Sequence, residues 1–168
     1  MMGFYKSTEQ LDGLKKLATP KIPDLEVAKK IITGDEKLTR YFYDKNERGA
    51  LSVGWLELLD EGGEFEELVA EDSGIVGKVK ALYLVDYADS KPQEVMRIVT
   101  RIHARDEWIQ GKFVEALLKM PESVAAKGIS TVLSYVEERK YKVWFFVGEP
   151  AAKLTVKLVE KNPKESFE

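Results

Sequence analysis

The sequence predicts an all-α protein in which about nine helices stack as antiparallel hairpins without a sheet, and the same patterns allow a compact, non-repeating helical bundle as the alternative. Apolar residues recur at helical spacing along most of the 168 residues, and serine, aspartate, glycine and proline stand between the apolar stripes. The segment from Tyr141 to Val147 is the only stretch with strong strand propensity, and the sequence offers it no credible partner strand. We therefore interpret it as an apolar connection between helices.

Four helices are predicted in the first part of the chain. The first begins at the capping-box pattern Ser7 to Gln10 and continues to Ala18. Two prolines interrupt it, and the second helix runs from about Asp24 to Ile32 and ends at Gly34, because a proline disfavours helical backbone in the residue before it. The third and fourth helices are indicated by two apolar stripes: Leu38, Tyr41 and Phe42, and then Leu51, Trp55, Leu58 and Leu59.

The stretch GWLELLDEGGEF, which begins at Gly54, predicts an abrupt helix end. Gly62 or Gly63 can adopt the left-handed conformation that satisfies the last carbonyls of a helix. Phe65 beyond them is expected to fold back onto the apolar face. The acidic segment from Glu64 to Gly74 is predicted to be a long loop.

The second part of the chain predicts five more helices. Their starts are marked by Ile75, by the capping-box pattern Ser90 to Gln93, by Asp106, by Pro121 and by Glu149. The helix after Pro121 carries the apolar residues Ala125, Ile129, Val132 and Val136. Gly111 and Gly128 lie inside helices and cost about 1 kcal/mol each against alanine, for which close approach of helices is the expected compensation.

Composition limits the function classes. A length of 168 residues suits a single domain over residues 1–168, and 44% hydrophobic with 33% charged residues is typical of a soluble globular protein. Without an apolar span or a signal-peptide pattern, we expect a cytoplasmic protein without membrane contact. The absence of cysteine excludes disulfides and thiolate metal sites, and the net charge of -3 argues against a generally basic nucleic-acid binder.

The order of residues from Thr33 to about Ala126 resembles a degenerate HEAT-like helical-repeat region of long prokaryotic proteins, found beside nucleotide-driven or nuclease modules of defence systems. The segments that carry the resemblance are TGDEKLTRYF, WLELLDEGGEF, ALYLVDYA, PQEVMRIV and FVEALLKMPESVAA. Successive helix pairs are about 33 to 40 residues apart, within the range of HEAT, armadillo and tetratricopeptide repeats. The resemblance implies an α-solenoid scaffold or sensor that presents a surface to a partner, as a stand-alone relative or a piece of a larger protein.

Three patterns imitate catalytic or metal sites. GIVGKV, from Gly74 to Val79, has the wrong glycine spacing for a phosphate loop and lacks its Ser or Thr, so it is expected to be a helix start. Asp24 with the run Asp35 to Lys37 imitates a magnesium-dependent nuclease, but acidic residues at helix starts are expected to be caps. The acidic residues between Asp60 and Asp72 lack calcium-loop spacing and are expected to be solvated. No catalytic residue, metal ligand or cofactor is predicted, and the sole histidine, His103, has no indicated partner.

One set of residues indicates binding. Arg97, Arg101 and Arg105 recur every four residues, so on a helix their guanidinium groups line one face and suit carboxylate or phosphate. Glu94 and Asp106 are expected to neutralise them in part. We predict an acidic segment of another protein as the partner rather than nucleic acid, because no aromatic residues interleave with these arginines to stack bases.

The sequence therefore favours a non-enzymatic protein-interaction scaffold or sensor built from helical repeats. Two alternatives stay open at this point: a nucleic-acid-binding helical repeat that uses the arginines, and a small metal-dependent nuclease that uses Asp24. The sequence indicates neither an oligomeric state nor a particular protein partner.

Overall fold

The computed structural model describes residues 12, 24–32, 35–47, 55–138 and 146–161, and everything below refers to these. They contain helices and turns and no strand, which confirms the predicted all-α class. The α-helices are α1 (Leu25–Ile32), α2 (Glu36–Glu47), α3 (Trp55–Glu61), α4 (Gly74–Tyr87), α5 (Pro92–Arg101), α6 (Glu107–Lys119), α7 (Glu122–Ala125), α8 (Ile129–Glu138) and α9 (Gly148–Lys161). Two 3-10 helices lie at Glu66–Val69 and Ala126–Gly128.

The predicted helices match these elements closely. The second to ninth predicted helices correspond to α1 through α9, with α7 and α8 forming one helix that a 3-10 turn interrupts. The helix predicted between Ser7 and Ala18 lies outside the described residues apart from residue 12, as does most of the segment from Tyr141 to Val147. None of the described helices is long and apolar enough to cross a membrane.

Local side-chain chemistry sets several helix starts. Asp24 Oδ1 accepts from the Val27 amide at 3.1 Å, and Asp35 Oδ1 accepts from the Leu38 amide at 3.1 Å. Asp106 Oδ1 likewise accepts from the Trp108 amide at 2.8 Å at the start of α6. These contacts satisfy amides that have no partner inside the helix. Ser90 differs from the prediction, because α5 has Lys91 at its N-cap and Pro92 as its first residue.

Helix α3 ends at the predicted glycine stop. Gly63 has a φ of 73°, its amide donates to Asp60 O at 3.0 Å, and the Glu64 amide donates to Leu59 O at 3.0 Å. This pair of bonds around a left-handed glycine closes the helix. Phe65 is fully buried, and its ring stacks on Tyr83 of α4 at 6.2 Å. The segment that follows is not an uninterrupted loop, since it forms the 3-10 helix Glu66–Val69 with Leu68 buried.

The helices pack in an alternating order along the chain. Helix α4 packs extensively against both α2 and α6, and α6 packs against α9. These four helices, α2, α4, α6 and α9, form a first set. A second set, α3, α5 and α7, lies beside it, because α5 contacts α3 on one side and α7 with its 3-10 turn on the other. The core between the sets is aromatic at the α2 end, where Phe42 meets Trp55 edge to face at 5.0 Å and Tyr43 meets Tyr83 at 5.5 Å.

The two glycines inside helices mark close contacts. A Cβ on Gly111 in α6 would lie 2.5 Å from Phe146 O, so the chain just before α9 approaches the α6 backbone. A Cβ on Gly128 would lie 2.8 Å from Leu117 Cδ1 of α6. The expected close approach is therefore confirmed, although at Gly111 the neighbour is the segment before α9 rather than a helix.

Candidate functional site

The three arginines predicted as a binding stripe do not share one helix. Helix α5 ends at Arg101, and Ile102 already has extended backbone with φ -88° and ψ 110°. Arg105 therefore lies in the connection between α5 and α6. The connection is held in place because Ile102 and Ala104 are buried and the side-chain Nε2 of Gln110 donates to Ala104 O at 2.8 Å. The prediction that the three arginines line one helix face is wrong for Arg105, because the helix ends at Arg101.

Arg97 and Arg101 bind a carboxylate of this same chain. Arg97 donates to Asp60 Oδ2 at 2.9 Å, and Arg101 donates to Asp60 Oδ1 at 2.6 Å and to Glu66 Oε1 at 3.0 Å. The Asp60 side chain is only 4% exposed, whereas the two arginine side chains are 58% and 42% exposed. The hydrogen bond that Arg101 donates to Asp60 raises the pKa of Arg101 above its ordinary value. Asp60 at the end of α3 and Glu66 beyond it thus supply carboxylates to Arg97 and Arg101 within this chain.

Asp60 and Glu66 take the neutralising role that the sequence suggested for Glu94 and Asp106. Glu94 Oε1 lies 3.6 Å from Lys91 Nζ, and Asp106 caps α6. Sequence reasoning missed this pairing because Asp60 is 37 residues from Arg97. The sequence feature that could have indicated this pairing was the presence of both an acidic segment and a basic helix face in one chain.

A second ion cluster joins the same acidic segment to α4. The Lys80 side chain is 6% exposed, and its ammonium group donates to Glu64 O at 2.7 Å and lies 2.8 Å from Glu67 Oε1. Lys29 of α1 lies 3.2 Å from Glu64 Oε1. The segment between Asp60 and Glu67 was expected to be solvated. Glu61, Glu66 and Glu67 are exposed as expected, whereas Asp60 is buried and Glu64 is half-buried. Ion pairs connect the segment to α1, α4 and α5.

The patterns that imitate catalytic sites have structural roles. Gly74 begins α4, so the GIVGKV stretch is a helix start as expected. The His103 imidazole lies 2.6 Å from Glu138 Oε1 on an exposed surface. Within the described ranges, no group of three His, Cys, Asp or Glu side chains is placed to hold a metal ion. Asp24 and Asp35 both accept amide hydrogens at helix starts, which confirms their interpretation as caps.

An open apolar groove lies between the α7–α8 helix and α9. Its volume is about 630 Å³. Ile129, Val132 and Leu133 line one side, and Leu154 and Leu158 line the other. The aliphatic lining includes side chains that solvent reaches: Ile129 is 40% exposed and Leu133 is 54% exposed. Ile129 and Leu133 therefore present apolar surface to solvent.

The groove is suited to apolar contact rather than to chemistry. Its polar edge includes Ser123 and Thr155, and the Thr155 hydroxyl donates to Ala151 O at 3.0 Å. A concave apolar surface with a few polar groups at its edge is typical of binding sites. Ile129, Val132, Leu133 and Val136 follow the i, i+3, i+4, i+7 spacing, so the sequence indicated one apolar stripe on α8 but not that part of the stripe stays exposed.

Comparisons with known proteins give no indication of this protein's function. No protein-family model, curated protein or solved structure matches this chain. The resemblance to HEAT-like helical-repeat regions therefore stays a prediction from the sequence.

Proposed function

We propose that this protein is a non-enzymatic protein-binding module, a scaffold or sensor built from helical repeats, with a cytoplasmic location as expected from the sequence. The observation that carries the proposal is the open groove between α8 and α9, where Leu133 stays half exposed beside other aliphatic side chains. Exposed apolar surface that is concave and contiguous is characteristic of interaction sites, whereas single exposed aliphatic residues are ordinary.

The packing order supports the helical-repeat part of the proposal. In a stack of helical hairpins, each helix contacts the helix two positions further along the chain, as α2, α4 and α6 do here.

The arginine residues provide weaker support. Arg97 and Arg101 are paired with Asp60 and Glu66, so a partner has to compete with carboxylates of this chain for both. The same pairing argues against a nucleic-acid role, because neutralised arginines contribute little to phosphate binding. The nuclease alternative has no support, since Asp24 is used as a helix cap.

Photo-crosslinking tests the proposal. A photoreactive amino acid placed at Leu133 is expected to form covalent adducts with another protein in a lysate of the source organism. The matched control is the same amino acid at Ile75 of α4, which is 49% exposed and lies outside the groove. Adducts at position 133 that exceed those at position 75 support the proposal, and equal or absent adducts at the two positions contradict it.

A further inference from the structure

Arg97 and Arg101 are held in place by Asp60 but keep most of their hydrogen-bond donors. Each guanidinium group uses only its Nη2 atom for the contacts with Asp60 and Glu66. Within the described ranges, no carboxylate is paired with Nη1 or Nε of either arginine. Because both groups bind one carboxylate, they lie side by side, and their conformations are restricted before any ligand binds. The remaining nitrogens therefore form a preorganised set of donors on side chains that solvent reaches.

The two carboxylates bound to these arginines differ in how easily a ligand can displace them. The Asp60 side chain is 4% exposed, whereas the Glu66 side chain is 60% exposed. The buried side chains of Phe65 and Leu68 anchor the backbone on both sides of Glu66, so rotation of the Glu66 side chain alone breaks its contact with Arg101. An exposed ion pair of this kind contributes little to stability. Asp60 is therefore the fixed carboxylate, and Glu66 is the displaceable one.

The charge of this site suits a carboxylate of a ligand. The two arginines balance Asp60 and Glu66, and displacement of Glu66 leaves the two arginines with Asp60, which is one positive charge. One carboxylate group neutralises that charge and matches the planar fork of a guanidinium group. Glu94, one turn before Arg97 on α5, lies instead 3.6 Å from Lys91 Nζ. A single positive charge gives little attraction for a polyanion such as nucleic acid, whose binding depends on many neutralised phosphates.

We propose that Arg97 and Arg101 bind an acidic segment of another protein, that Asp60 is the positioning residue for both, and that Glu66 is an intramolecular competitor which the carboxylate of the segment displaces. This inference goes beyond the proposed function and does not depend on the groove between α8 and α9. Because the ligand has to displace Glu66, removal of the Glu66 charge strengthens binding.

Selection from two displayed peptide libraries of equal size tests the inference on the intact protein. Both libraries hold peptides of about 10 residues with randomised flanks; the central two residues are Glu in one library and Gln in the other. We expect enrichment from the Glu library alone, because the arginines bind a carboxylate and not an amide. The enriched peptide is then synthesised, and its Kd is measured by calorimetry for the protein and its variants.

Four substitutions locate the site. Arg97→Gln is expected to weaken the peptide by about tenfold or more, since it removes a charged donor. Glu66→Gln is expected to strengthen it by about threefold to fivefold. Glu61→Gln is the matched control, because it removes an equal charge from an exposed position at the end of α3 and is expected to leave the Kd unchanged.

Asp60→Asn, the fourth substitution, separates positioning from general charge attraction. It removes the same negative charge as Glu66→Gln, so attraction alone predicts tighter binding. Loss of the group that holds both arginines predicts weaker binding instead. Circular dichroism and thermal unfolding establish that each variant is folded at the temperature of the binding measurement.

The outcomes separate this inference from the proposed function. Enrichment from both libraries or from neither contradicts an acidic ligand, and occupation of the arginines by an acidic segment of this same chain gives the second of these results. Equal strengthening by Glu66→Gln and Glu61→Gln contradicts the role of Glu66, and strengthening by Asp60→Asn contradicts that of Asp60. A peptide that Leu133→Glu weakens and Arg97→Gln does not weaken binds in the groove, which contradicts this inference and leaves the proposed function in place.

Discussion

At the scale of single residues, Asp60 and the two arginines that bind it differ in their exposure to water. Its carboxylate is nearly inaccessible to water, while the two guanidinium groups that bind it remain about half exposed. An isolated buried carboxylate is costly, because desolvation penalises the charged form. Arg97 and Arg101 offset that cost and at the same time connect α5 to the end of α3.

Because the carboxylate is buried and the guanidinium groups are about half exposed, substitutions of Asp60 and of the arginines are expected to lower stability by different amounts. Replacing Arg97 and Arg101 together by Ala leaves the buried carboxylate without these donors and is expected to lower the free energy of unfolding by about 3 to 5 kcal/mol. Asp60→Asn leaves arginines that water can solvate, so a smaller loss of about 1.5 to 3 kcal/mol is expected. Urea unfolding at neutral pH measures both values.

Arg105→Ala is the control for this prediction, because Arg105 lies beyond the end of α5. A surface substitution of this kind is expected to change stability by about 0.5 kcal/mol or less. If Asp60→Asn destabilises the protein more than the double arginine variant does, the account of Asp60 as the buried member of the pair is wrong. Any binding assay that removes these arginines needs the same stability measurement.

At the scale of elements, Gly111 shows how packing overrules helix propensity. It lies inside α6, where alanine is intrinsically better by about 1 kcal/mol. Its missing side chain leaves room for the backbone carbonyl of Phe146, which lies 2.5 Å from where a Cβ would be. A side chain at this position displaces the start of α9 from α6.

Gly111→Ala is therefore expected to destabilise the protein. Overpacking costs about 1 to 3 kcal/mol, which outweighs or cancels the gain in helix propensity and gives a net loss of up to about 2 kcal/mol. Gly128→Ala is the matched comparison, because its nearest atoms are the flexible end of the Leu117 side chain, and a smaller effect is expected. Thermal unfolding compares the variants, and a more stable Gly111→Ala protein contradicts the close contact.

At the scale of the whole molecule, the core contains several phenol groups. Tyr43, Tyr83 and Tyr135 are each about 1% exposed. Burial raises the pKa of all three above the ordinary value of 10.0, because the phenolate loses its hydration. The folded protein therefore holds these protons at pH values where the unfolded chain has released them.

This difference predicts a loss of stability in alkali. Below about pH 10 the phenols are neutral in both states and their contribution is fully present. Above it, each buried tyrosine lowers the free energy of unfolding by about 1.4 kcal/mol per pH unit until its folded pKa is reached. At pH values where circular dichroism shows a folded chain, phenolate absorbance is expected to show that at least three of the 7 tyrosines remain un-ionised near pH 11. Titration of all tyrosines together near pH 10 in the folded protein contradicts the prediction.

The sequence by itself determined the features of this protein that depend on near neighbours. Helix positions, the caps at Asp24, Asp35 and Asp106, and the glycine stop at Gly63 follow from hydrogen bonds that span only a few residues. Such bonds form between groups that are close in the chain, so spacing and residue type are sufficient to predict them. For the same reason, the apolar stripes predicted the all-helical class.

Only the tertiary structure decided which distant groups meet and how completely each apolar face is covered. Arg101 and Asp60 are 41 residues apart, and no local rule indicates that the acidic segment folds onto α5. Helical spacing places Ile129 on an apolar face of α8, but its exposure depends on whether a neighbouring helix covers that face. Periodicity reports the direction of a side chain about its own helix axis, whereas burial, ion pairing and the groove depend on the positions of other helices.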